Sequence, residues 1–89
     1  MINLDFLKET LEEDNPDAII YDGADEAIMG LVYHDDKLPI IAYSYSKWIK
    51  MLMDRDGMPV DEAVEFFDYN VDGLILGDNQ PIIIRDHML

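Results

Sequence analysis

The stretch Asp68-Tyr69-Asn70-Val71-Asp72-Gly73-Leu74-Ile75-Leu76-Gly77-Asp78-Asn79 carries the residue types of a twelve-position calcium loop in the order such a loop uses. Oxygen-bearing side chains stand at positions one, three and five, glycine at six and an aliphatic residue at eight. Asp68, Asn70 and Asp72 would be the first ligands of a hard cation. Two departures weigh against it. Position twelve is Asn79, where a bidentate carboxylate should complete the shell. The chain then continues as Gln80-Pro81-Ile82-Ile83-Ile84, an extended pattern and not an exiting helix. Asp72-Gly73 is also an ordinary helix stop. The expectation is no metal site, with Asp68, Asn70 and Asp72 as the weak candidates.

Other chemistry is sparser still. Asp22-Gly23-Ala24-Asp25-Glu26 puts three carboxylates into five residues. They could hold a cation, but such runs are more commonly solvated turns. The histidines, His34 and His87, have no ligand spacing between them. Ser44 and Ser46 lack a visible base, and helix capping explains them better than nucleophilic catalysis. There is no cysteine, hence no thiolate metal site or disulfide. The glycines are isolated turn residues, not a phosphate loop. The reading is therefore non-enzymatic, with no cofactor. Six methionines are many for this length. Met51, Met53 and Met58 cluster with Trp48, either as flexible core filling or as an adaptable binding surface beside Lys47 and Lys50, with Trp48, Met51 and Met58 as the possible apolar interface.

Twenty Asp and Glu against six Lys and Arg give a net charge of −14 on 89 residues, yet 49% of the residues are hydrophobic. An acidic disordered tail would lack that apolar content. The charge must therefore coat a folded unit, read as one compact acidic domain spanning 1–89. Phosphate repulsion argues against direct nucleic-acid binding, and against anionic membrane. No run approaches the ~18 apolar residues of a membrane span. The N-terminus, with Asp5, Lys8 and Glu9, lacks the apolar stretch of a signal peptide. A cytoplasmic location is expected.

The elements that must position these residues follow from periodicity. Residues 3–14 predict a helix capped by Asn3, with Leu4, Leu7 and Leu11 on one face, ended by Asn15-Pro16. Its last turn, Glu12-Glu13-Asp14, has the wrong sign for the helix dipole. Strands are expected at 18–22, 27–34, 38–43, 74–76 and 82–85, with 27–34 and 38–43 forming a hairpin. In the first hairpin strand strict alternation would put Ile28, Gly30 and Val32 on one face. Further helices are expected at about 46–55, closed by Asp56-Gly57, and at 60–71, opened by Pro59. Asp61 and Glu62 suit the dipole at that start. The predicted architecture is α+β: a small, largely antiparallel sheet with about three helices packed on one face.

The segments Asp22-Gly23-Ala24-Asp25-Glu26-Ala27-Ile28-Met29-Gly30, Tyr43-Ser44, Leu52-Met53, Asp56-Gly57-Met58 and Glu62-Ala63-Val64-Glu65-Phe66-Phe67-Asp68-Tyr69-Asn70 resemble a group of short acidic, uncharacterised proteins encoded by phages and prophages. The resemblance spans roughly residues 22–77. The chain departs from the group's pattern at Pro59, where a capping Ser or Thr is usual. The group supplies no catalytic residues. The resemblance implies an intracellular accessory protein, located in the host cytoplasm if phage-encoded.

Charge, absence of chemistry and resemblance together lead to one functional expectation. The chain would bind a host or phage protein, for example a basic nucleic-acid-binding protein, as an inhibitor whose carboxylates imitate DNA phosphates. The partner-binding candidates are Glu9, Glu12, Glu13, Asp14 and Asp17 on one side, and Asp61, Glu62, Glu65 and Asp68 on the other. The alternative is a self-associating structural or assembly protein, a homo-oligomer joined through Trp48, Met51 and Met58 or through an open sheet edge.

Overall fold

The structure, a computed structural model, describes residues 2–74 and 76–86. Helix α1 runs from Leu4 to Asp14. The Asn3 side chain accepts from the Phe6 amide at 3.1 Å, which satisfies one of the orphan donors of the first turn. Leu7 and Leu11, one turn apart, are its buried residues. The helix ends at Asn15, immediately before Pro16.

A 3-10 turn at Asp25–Ala27 leads into strand β1, Ile28–His34, which returns through Asp35-Asp36 as β2, Lys37–Ser44. The two pair antiparallel, with Leu31 opposite Ile41 and Val32 opposite Ile40. The register shifts between Ile28 and Gly30, leaving Met29 as the extra residue of a bulge. The bulge is why strict alternation fails here: Ile28 and Leu31 both pack on the core, three residues apart.

Helix α2, Tyr45–Asp56, follows β2 without a loop. The Ser44 hydroxyl accepts from the Lys47 amide at 3.1 Å. Gly57, at φ 71°, ends the helix in the left-handed conformation that glycine adopts without steric cost. Helix α3, Val60–Phe67, starts after Pro59 with no side-chain cap and continues as a π-helical turn, Asp68–Asp72. The helical stretch thus reaches about as far as the periodicity predicts, with a wider last turn. Strand β3, Ile82–Ile84, adds to β2 in parallel, with Ala42 opposite Ile82 and Ser44 opposite Ile84. The sheet order is β1-β2-β3.

The architecture is α+β, as expected: three helices packed around a three-stranded sheet, antiparallel across its long hairpin and parallel at β3. Among the described residues, no strand forms where two were expected. Residues 18–21 are irregular, held by the Ile19 amide on the Asn79 carbonyl (3.0 Å) and the Tyr21 amide on the Tyr43 hydroxyl (2.9 Å). Leu74 and Leu76 lie outside any strand, and Ile75 is outside the described residues. β-Branched runs carry strand propensity, but a strand also needs a partner edge, which neither segment finds.

One hydrophobic cluster joins α1, β1, β2, α2, α3 and the π turn. Its centre is aromatic. Trp48 meets Tyr43 edge-on at 5.0 Å and Phe67 at 5.6 Å, while Tyr21 stacks on Tyr43 at 5.4 Å. The structure therefore corrects the expected apolar interface. Trp48 is 6% exposed and Met51 4%, so both are core, and Met58 packs partly buried against them. The helix carries them inward because Trp48, Met51 and Leu52 fall on the face that also buries Tyr45 and Ile49.

Candidate functional site

The calcium-loop stretch folds as helix, not loop. Asp68 to Asp72 form the π turn, in which Asp68 and Asp72, four residues apart, share a side while Asn70 turns back onto the helix. The Asn70 amide donates to the Phe66 carbonyl at 3.0 Å. Arg85 lies 2.7 Å from the Asp72 carboxylate and 3.7 Å from that of Asp68. A protein cation thus stands where the metal reading needed an ion. This corrects the weak candidacy of Asp68, Asn70 and Asp72, and sequence spacing missed it because Arg85 is distant along the chain. At Asp22–Glu26, Asp25 pairs with Lys8 at 2.8 Å. Among the described residues no three His, Cys, Asp or Glu side chains gather as a metal site would require.

Arg85 also stacks on aromatic rings. Its guanidinium lies 4.4 Å from the Tyr45 ring centre and 5.7 Å from that of Phe67. Beside it, Asp86 closes a polar cluster at the start of α2. Its carboxylate accepts from the Ser46 amide at 2.8 Å, from the Ser46 hydroxyl at 2.9 Å and from the Ser44 hydroxyl. Burial alone would raise the Asp86 pKa, but the hydrogen bonds from Ser44 and Ser46 outweigh it and hold it at about 2. Ser44 is thus engaged as the cap of α2 and Ser46, inside its first turn, as a donor to Asp86, with that carboxylate at a helix N-terminus where the dipole favours it. Neither Arg85 nor Asp86 was singled out from the sequence. His34 is exposed at the end of β1, and His87 lies outside the described residues.

The acidic surface is the other candidate. Glu9, Glu12, Glu13, Asp14 and Asp17 are all exposed on α1 and the turn after it. Asp14 accepts from the Tyr33 hydroxyl at 2.7 Å, which raises the Tyr33 pKa because the neutral phenol donates to a charged acceptor. Asp61, Glu62, Glu65 and Asp68 are exposed on α3 and the following turn. Ion pairs draw on other carboxylates, namely Asp25, Asp54, Asp56 and Asp72, with Asp68 at longer range. Among the described residues Glu9, Glu12, Glu13, Asp17, Asp61, Glu62 and Glu65 have no cationic partner.

Helix α3 brings together more than charge. Glu62 and Glu65 line one shallow groove with Phe66 and Tyr69. Tyr69 is 85% exposed, the most open of the large apolar side chains among the described residues. Two free carboxylates one turn apart beside an open aromatic ring form a surface suited to a guanidinium or ammonium group. The carboxylate spacing was legible in the sequence. The aromatic neighbours were not, because periodicity reads an aromatic that flanks the buried face of a helix as part of that face. Compared with known proteins, the chain matches no family model, no curated protein and no solved structure.

Proposed function

We propose that this chain is a small non-enzymatic accessory protein of phage type that binds a basic host or phage protein, and that it inhibits that protein by presenting carboxylates in place of nucleic-acid phosphates. The observation that carries the reading is the set of exposed carboxylates on α1 and α3 without cationic partners, on a chain of net charge −14. A surface of unneutralised carboxylates speeds encounter with a basic groove and makes the association depend on salt. The groove at Glu62, Glu65, Phe66 and Tyr69 adds an aromatic platform on which a partner's Arg or Lys can rest. The resemblance to acidic phage proteins supports the cellular setting.

The test is capture of partners from a bacterial lysate on immobilised protein, eluted in steps with salt and, separately, with duplex DNA. The expected result is a basic nucleic-acid-binding protein displaced by both. A retained partner that DNA cannot displace would overturn the mimicry. On the identified partner, Glu62→Gln with Glu65→Gln should weaken binding at least about tenfold, ~1.4 kcal/mol. Unchanged affinity would remove α3 from the contact.

A further inference from the structure

We propose that the groove between α1 and β1 seats a basic amphipathic helix of the partner, its apolar residues in the groove and its Lys or Arg at the rim. The inference rests on the reading that the partner is basic, and adds where and in what form that partner is held. Buried Leu7 and half-buried Leu31 lie at the base of the groove, and Ile2, Phe6 and Tyr33 line its sides. Phe6 is 67% exposed and Tyr33 60%, and neither belongs to the core cluster. Folding therefore gains little from either ring, yet both flank one apolar trough. Such a patch marks an interaction site. The polar side chains of the groove are engaged by α1 itself: Asn3 caps the helix, and the Thr10 hydroxyl donates to the Phe6 carbonyl at 2.8 Å.

Charge selects the occupant. Asp14 stands at the end of the groove, its carboxylate accepting from the Tyr33 hydroxyl at 2.7 Å. Glu9 and Glu13, each three residues on from the groove-lining Phe6 and Thr10, stand beside it on the same side of α1. Both are exposed and have no cationic partner among the described residues. No Lys or Arg among the described residues lines the groove. An apolar trough rimmed by anions repels phosphate, anionic membrane and a second copy of a chain at −14. It complements an apolar stripe flanked by cations. Shape then selects a helix. Phe6, Thr10 and Asp14 form one row of α1, two turns or about 11 Å long, which matches the i, i+3, i+4, i+7 anchors of a helix laid in a groove. Strand addition to β1 is the competing mode. The register shifts on both sides of Gly30–Val32 leave it too short a regular ladder.

The probe is a fluorescent peptide of about 18 Leu and Lys residues, with Leu at the i, i+3, i+4 and i+7 positions of a helix. It is titrated into the full chain by anisotropy at about 0.15 M salt, where non-specific charge attraction is screened. Saturable binding is expected. A peptide of the same composition with its Leu scattered around the helix, and one with Gln for every Lys, should each bind at least about tenfold more weakly. Phe6→Ala with Tyr33→Ala should raise the dissociation constant of the first peptide at least about tenfold. Phe6→Gln alone should raise it at least about threefold, and serves if the pair fails to fold by circular dichroism. Equal binding of the scattered peptide would show that charge alone acts: the groove falls while the basic-partner reading stands. Equal binding of the Gln peptide would make the occupant neutral and overturn the proposal. So would a folded groove variant with an unchanged dissociation constant, or no binding of the first peptide at about 1 mM. The basic-partner reading is decided separately, by partner capture.

Discussion

Arg85 and Asp86 decide how the C-terminal part of the described chain is held. Arg85 ties β3's end to Tyr45 and to the π turn, and Asp86 ties it to the first turn of α2. The Asp86 carboxyl, held at about 2, lies below its ordinary value near 3.8. Folding therefore favours the ionised form. The stability this contributes is fully present above about pH 4 and is lost as the pH falls from there through about 2. Urea midpoints measured across pH 2–6 should drop in this window for the natural chain, and the Asp86 part of that drop should be missing in Asp86→Asn. An identical acid profile for the variant would show that the carboxylate contributes nothing. Asn15 is a second such residue. It is buried, donating to the Pro39 carbonyl at 2.9 Å and to the Asn79 side chain at 3.1 Å. Asn15→Ala should cost about 1–3 kcal/mol, because the Pro39 carbonyl is left buried without a donor. Chemical denaturation measures it, and a loss below the lower bound would mean water takes the amide's place.

The elements show which local signals are sufficient. Asn3 and Gly57 were each readable as helix boundaries and each acts as one, since capping depends only on residues within a turn of the helix end; Ser44 was one of two cap candidates with Ser46, and the structure uses Ser44. Gly57→Ala should destabilise by about 1 kcal/mol, reflecting the φ of 71° rather than any clash, since a β-carbon there meets no atom within 4 Å. Ser44→Ala should cost more than an isolated cap, about 2 kcal/mol, because it also strips a donor from Asp86. Thermal melts of the two variants compare them directly; equal losses would mean that the Ser44–Asp86 contact adds nothing to the cap. The strands were less legible. The hairpin is stated by two apolar runs around Asp35-Asp36, whereas residues 18–22 and 74–76 looked as strand-like as 82–85, and among the described residues only 82–84 finds β2's free edge.

At the scale of the whole molecule, charge sets the conditions under which everything else operates. A folded chain at −14 repels itself more than its expanded form does, so screening stabilises it. The melting temperature should rise as sodium chloride goes from 20 mM to 0.5 M, and a flat response would mean that the carboxylates are already neutralised in the folded state. Trp48→Ala should cost about 3–5 kcal/mol in any salt, as befits a ring at the centre of the aromatic cluster. A loss under 1 kcal/mol would return Trp48 to the surface.

Composition and short-range pattern alone determined that this chain folds, that it is α+β, where its three helices begin, and that its carboxylates line the outer sides of α1 and α3. Those properties follow from burial periodicity and from caps that span one turn, and both are written in neighbouring residues. Tertiary structure alone decided the rest. It placed Trp48 and Met51 in the core, gave Asp68 and Asp72 to Arg85 instead of leaving them for a metal, shifted Ile28 inward by a bulge, and laid β3 parallel to β2. Each depends on which distant segment arrives beside a residue, and no spacing within the chain encodes that arrival.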